Sequence, residues 1–307
     1  MQHKAIGMKV FYRMICLALA AVCLSSCAEV KSFMTSHSGR PDISAEELTQ
    51  RLHPRGMIKE VHYKTSVKGP SHRRMLVYLP EGYESSPERR YPVLYLLHGA
   101  RGNETSWLVD GDLVRINDSL QRAGLTEPFI TVLPNMNQYD NDKDFANSRF
   151  KRPIESLFGP DGAVESSFTR DVVATVDSLF RTIPEKEGRA LAGLSIGGLQ
   201  AINISANQPY TFDAIALFSP MHKAFIKASD YSDYYWNLRI KQRVQFSKPP
   251  RLYSIYIGKK DVFYFNVEYY RRYMHDNNFP FQYTETRGGH DWTRWRNFYT
   301  MFIQTCF

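Results

Sequence analysis

Five short, almost unbroken apolar runs constrain what this chain can fold into more than any other feature. The first reads Tyr91-Pro92-Val93-Leu94-Tyr95-Leu96-Leu97, and the others fall at residues 129–133, 190–192, 214–218 and 252–257. A strand with one face in water alternates apolar and polar residues. A run that is apolar at nearly every position must be covered on both faces, as strands of a parallel sheet are. Parallel neighbours need long crossover connections, and the intervening stretches carry helical periods. Phe168, Val172, Val176, Leu179 and Ile183, for instance, recur at spacings of three and four. Two extended segments precede the runs, at residues 57–66 and 72–79, the second half-buried through Met75, Val77 and Leu79. Another follows them at residues 281–286. The expected architecture is α/β, a mostly parallel central sheet flanked by helices.

Residues 1–26 read as a targeting segment rather than as part of the fold. Lys4, Lys9 and Arg13 form a basic start, and residues 14–24 form an apolar stretch too short to span a bilayer permanently. The string Leu24-Ser25-Ser26-Cys27 that follows resembles a bacterial lipobox. That resemblance implies a lipidated Cys27 as the first mature residue, and a lipid-anchored protein of the cell envelope, periplasmic or outer-membrane. The alternative is a plain secretory signal with an incidental cysteine. Residues 27–55 are polar apart from one short amphipathic stretch, residues 45–52, and read as a tether, and residues 56–307 as one domain. Cys16 and Cys23 lie inside the signal, so an acylated Cys27 leaves Cys306 without a partner and no structural disulfide is expected. No cysteine–histidine cluster suggests zinc or another metal.

The net charge is +8, of which residues 1–26 supply three positives and no acids. Basic groups are scattered, among them residues 241–251 and Arg271-Arg272. They read first as a solvated face and second as an attraction to acidic polymers or to a surface. No nucleic-acid motif accompanies them.

The chemistry concentrates in three strings. Gly193-Leu194-Ser195-Ile196-Gly197-Gly198 lies between the buried run at residues 190–192 and a helical stretch at residues 199–206. A strand-to-helix turn this tight lifts the serine hydroxyl above the sheet edge, and the flanking glycines remove side chains that would clash. Serine needs a base to become a nucleophile. His290 sits in Arg287-Gly288-Gly289-His290-Asp291-Trp292, a glycine-rich loop beyond the last extended run, from which an imidazole can reach a distant turn. The orienting acid is expected between the two in sequence. Asp261 follows a buried run through Gly258-Lys259-Lys260, so it belongs at a strand's C-terminal end. Asp213 precedes its strand, and Asp291 adjoins the histidine and cannot easily face its ring. The turn His98-Gly99-Ala100 after the first buried run would bring the Ala100 N–H beside that of Ile196, as the two donors to an oxyanion. His98 is then a structural residue of the turn.

Together with Leu96-Leu97-His98-Gly99-Ala100-Arg101-Gly102-Asn103-Glu104-Thr105-Ser106-Trp107, these strings resemble the putative-esterase family over about residues 56–305. That family has the α/β-hydrolase fold and includes feruloyl and acetylxylan esterases, S-formylglutathione hydrolases, enterochelin esterases and mycolyltransferases. The resemblance is greatest to feruloyl esterases, especially at Leu133-Pro134-Asn135-Met136-Asn137 and the Gly-Gly-His ending. It implies a Ser195, Asp261, His290 triad, oxyanion donors at Ala100 and Ile196, and no cofactor. The implied substrate is an esterified polysaccharide or oligosaccharide. A siderophore or other small-ester esterase, and a hydrolase-like lipoprotein that only binds glycan, are the other readings. Trp107, Asn135 and Trp236 are candidates to touch substrate, with Trp236 in an aromatic group that includes Tyr231, Tyr234 and Tyr235. Those rings serve either as a cap for a phenolic or sugar group or as core packing. Residues 138–167 form a polar insertion relative to the feruloyl esterases. Its Asp140, Asp142 and Asp144 begin like a calcium loop, but Phe145 and Lys151 stand where glycine and glutamate are required.

Overall fold

A computed structural model describes residues 43–66, 72–100, 102–137, 162–222 and 237–307. The signal, Cys27, the Asp140 to Asp144 run, and Tyr231, Tyr234, Tyr235 and Trp236 lie outside the described residues. The apolar runs form β3 (Val93–Leu97), β4 (Ile130–Pro134), β5 (Arg189–Leu194), β6 (Ala214–Phe218) and β7 (Leu252–Gly258). Nearly every residue in them is buried, as two-sided covering requires. β1 (Met57–Lys64), β2 (His72–Leu79) and β8 (Gln282–Thr286) complete one eight-stranded sheet of order β1-β2-β4-β3-β5-β6-β7-β8. The β1–β2 and β2–β4 pairs are antiparallel, and all the others are parallel.

The strand order positions the site. From β3 the chain crosses outward to β4, then returns past β3 to begin β5 on its other side. Connections leave β3 and β5 in opposite directions, so a crevice opens beyond their C-terminal ends.

Two segments differ from the sequence expectation. Residues 43–55 belong to the packed fold rather than to a tether. Helix α1 (Ala45–Leu52) is capped by Ser44, whose side chain accepts from the Glu47 N–H, and it buries Leu48 completely. The helix packs against β1, and β2, between β1 and β4 in the sheet, is buried on both faces, including Arg73 and Arg74, instead of alternating. Helices α2 (Ser106–Val109) and α3 (Leu113–Arg122) follow β3, and the second difference lies between α4 (Ala163–Phe168) and α5 (Ala174–Leu179), which are joined by a π-helical turn at Thr169–Val173. A π turn holds more than four residues, so Phe168, Val172 and Val176, four apart, align on the core. Leu179, only three further on, leaves that face and is 57% exposed.

Candidate active site

Ser195 follows β5 directly and caps α6 (Ile196–Asn207) with φ 56° and ψ −116°, a conformation few non-glycine residues adopt. Backbone contacts hold it there. Its N–H donates to the Phe218 carbonyl at 2.9 Å, and its carbonyl accepts from Met221 at 2.9 Å and Gly198 at 3.1 Å. A side chain on Gly193 would collide with the Gly197 carbonyl, and one on Gly197 with the carbonyl of His98. The elbow therefore presses directly on the turn after β3.

His290 Nε2 lies 3.0 Å from Ser195 Oγ, and His290 Nδ1 lies 3.0 Å from both carboxylate oxygens of Asp261. The side chains of His290 and Asp261 are 5% and 0% exposed. A carboxylate accepts only, so Nδ1 carries the proton and Nε2 is left to accept from the serine hydroxyl. Asp261 is itself fixed by the Phe263 N–H, which donates to Oδ1 at 2.8 Å. The loops that carry acid and base are joined by backbone, with Lys259 N–H donating to Thr286 and Lys260 N–H to Gly288, each at 2.8 Å. A side chain on Gly258 would collide with the Gly288 carbonyl.

Ala100 and Ile196 sit together beside the nucleophile, in a small apolar group with Leu199, Met221 and Phe263. Neither of their N–H groups donates to another described residue, so both remain available to an oxyanion. His98 ties this turn to the segment after β4. Its Nδ1 bonds to the Gly99 carbonyl at 2.8 Å, and its Nε2 accepts from the Met136 N–H at 3.0 Å. It has no free nitrogen to act as a second base.

Trp107 and Asn135 are taken up by the scaffold instead of facing substrate. Trp107 is 1% exposed, donates to the Leu97 carbonyl at 3.1 Å, and packs on Phe218, Trp292 and Tyr299. It supports the end of β3 from beneath. Asn135 is buried, and its Oδ1 accepts from the Asn137 N–H at 3.0 Å, closing the turn after β4. Asp291 caps α9 (Trp292–Ile303) by accepting from the Arg294 N–H at 3.0 Å.

Two aromatic residues complete the site without a signal in the sequence. Phe263 and Trp295 meet the His290 ring at centroid distances of 4.9 and 4.8 Å, each nearly perpendicular to it. They hold the imidazole in the plane that serves both Asp261 and Ser195.

The chain is 36% identical over 146 residues to an endo-1,4-beta-xylanase/feruloyl esterase of Xylanibacter ruminicola, an alignment covering 47% of this chain and 19% of that protein. It is 28% identical over 166 residues to endo-1,4-beta-xylanase Y of Acetivibrio thermocellus, covering 54% of this chain and 14% of the other. The chain thus spans less than a fifth of either relative. Its fold is similar to that of a CE1 ferulic acid esterase from the anaerobic fungus Anaeromyces mucronatus, with TM-score 0.67 and 22% identity over 82% of this chain and 90% of that one. The model of the family described as "Putative esterase" matches residues 66–303, most of the length and all of the site, and the chain belongs to that family.

Proposed function

We propose that this protein is a serine carboxylic-ester hydrolase that removes feruloyl or acetyl groups from xylan or a similar cell-wall polysaccharide. The observation that carries the proposal is the continuous line from Asp261 through His290 to Ser195, with 3.0 Å at each join. Ser195 Oγ attacks the ester carbonyl as His290 Nε2 takes its proton. The carbonyl oxygen becomes an oxyanion held by the N–H groups of Ala100 and Ile196, each typically worth about 3 kcal/mol of barrier. His290 returns the proton to the departing sugar oxygen, leaving the acyl group on Ser195. Water then attacks the acyl carbon, gives its proton to His290, and releases the acid as Ser195 recovers its own. Asp261 stabilises the imidazolium in both halves. The apolar group of Ile196, Leu199, Met221 and Phe263 beside the serine suits an aromatic acyl chain. The two xylanase relatives support a polysaccharide carrier. The lipobox-like string before Cys27 supports anchorage of this enzyme at the bacterial envelope.

The test is a hydrolysis panel of methyl ferulate, acetylated xylan, 4-nitrophenyl acetate and a catecholate siderophore, with fluorophosphonate labelling alongside. Stoichiometric labelling lost in Ser195→Ala, with turnover of ferulate or acetate esters, is the expected result. A protein that binds xylan but takes no label and opens no ester would overturn the proposal. Preference for the siderophore would overturn its substrate class.

A further inference from the structure

Helices α7 (Leu238–Gln245) and α8 (Tyr264–Asp276) meet along a groove in which three arginines share one cavity of about 340 Å³. Arg239 and Arg243 are four apart on α7. Tyr269, Arg272, Tyr273 and Asp276 follow at i, i+3, i+4 and i+7 on α8, so each helix turns one face to the cavity. Arg239 donates to the Tyr269 hydroxyl at 3.2 Å and lies over the Tyr273 ring. Arg243 and Arg272 have no ion-pair or hydrogen-bond partner among the described residues, although the Asp276 carboxylate is in the same lining. The Tyr273 hydroxyl is buried and likewise has no partner among them. Burial raises its pKa, and the charges of Arg239 and Arg243 oppose that rise.

This arrangement works against the fold. Like charges four apart on a helix repel, and two more cationic side chains than anionic ones converge on one concavity. What it suits is an oxyanion, which planar guanidinium forks bind in pairs. Tyr269 is half exposed and offers a ring face beside the charges, the combination that receives a sugar carrying an acid. The cavity is within the usual range for small ligands, about 300–1,000 Å³. Helix α8 starts near Asp261 and runs back along the sheet, so Arg272 lies roughly 12 Å down the helix from Tyr264, clear of the catalytic crevice.

We propose that this groove is a second, non-catalytic binding site for a uronic-acid carboxylate on the polysaccharide whose esters the catalytic site opens. The polysaccharide identity rests on the function proposed above. The site would hold an acidic side group of the chain while an ester some distance along it reaches Ser195.

The experiment compares retention of the full chain by soluble glucuronoxylan and by an arabinoxylan without uronic acid. Retention by glucuronoxylan should weaken at least about tenfold in Arg243→Ala/Arg272→Ala, as loss of paired charge-assisted bonds requires. Retention by arabinoxylan and kcat/KM on methyl ferulate or 4-nitrophenyl acetate should stay as in the unmodified protein. Free glucuronate should compete for the acidic polymer. Unchanged retention in the variant, or an equal loss on both polymers, would overturn the site. Competition by inorganic phosphate but not by glucuronate would overturn the ligand class. Retention is read without turnover, so arginine-dependent binding by a protein that opens no ester would support this site while refuting the esterase.

Discussion

The imidazole of His290 has Phe263 and Trp295 edge-on at its ring and a hydrogen bond at each nitrogen, so its rotation is stopped from every side. The remaining freedom is the choice of tautomer, and Asp261 decides it. In Asp261→Asn an amide can turn its N–H toward Nδ1, which places the ring proton on Nε2 and removes the acceptor that Ser195 needs. The expected loss in kcat is about three to four orders of magnitude, with the thermal midpoint nearly unchanged. Steady-state kinetics on 4-nitrophenyl acetate with a parallel melt checks this, and activity within tenfold of the unmodified protein would mean another group orients the base. Ser195, His290 and Asp261 were legible because each depends on a short local string at a strand end. Phe263 and Trp295 were not, since their role is a contact between distant loops. Trp107 and Asn135 show the opposite error: motif position suggested substrate, whereas burial and hydrogen bonds are set by neighbours that a local string does not reveal.

Among the elements, the π turn at Thr169–Val173 does more than shift the helical phase. It carries Asp171, which is buried and accepts from Thr65 Oγ1 at 3.1 Å and from the N–H and hydroxyl of Ser66 at 3.0 Å, joining the end of β1 to the helix. Burial by itself would raise this carboxyl, but hydrogen bonds from Ser66, Ser167 and Arg170 outweigh it and hold it below the ordinary aspartate range. A depressed folded-state value means stabilisation that is fully present above the unfolded value, about 3.9, and is lost as pH falls through the folded one. Asp171→Asn should therefore cost about 1–3 kcal/mol at neutral pH, a fall of roughly 2–8 °C in Tm. The gap to the unmodified protein should narrow on acidification. Melts at pH 7 and about pH 3 test the sign, and a gap of equal size at both would show that the charge contributes nothing. The helical period foretold the helix but not the π turn, because an inserted residue leaves no mark in a pattern of threes and fours.

At the scale of the molecule, the five apolar runs made the sheet legible, but the order of its strands was not, because a crossover can place the next strand on either side. The covering of β1 by α1 was not legible, because α1 is a short polar helix with a single fully buried leucine. Arg74 secures that covering by reaching the Ile43 carbonyl, Glu60 at 3.1 Å and Glu104 at 3.0 Å. The packed fold is thus fastened from Ile43 onward. If Cys27 is the anchor, residues 28–42 provide at most about 50 Å of chain between lipid and domain. Cys27→Ser should move the protein from the membrane pellet to the soluble fraction while kcat/KM on a soluble ester stays the same. An unmodified protein already free in solution would refute the anchor. Gly258 and Gly288, finally, bring the acid's strand and the base's loop together main chain against main chain. A joint without side chains offers no intermediate sizes for mutation to try. Descent with variation can keep that joint or break it but cannot adjust it, so acid and base are inherited as one unit.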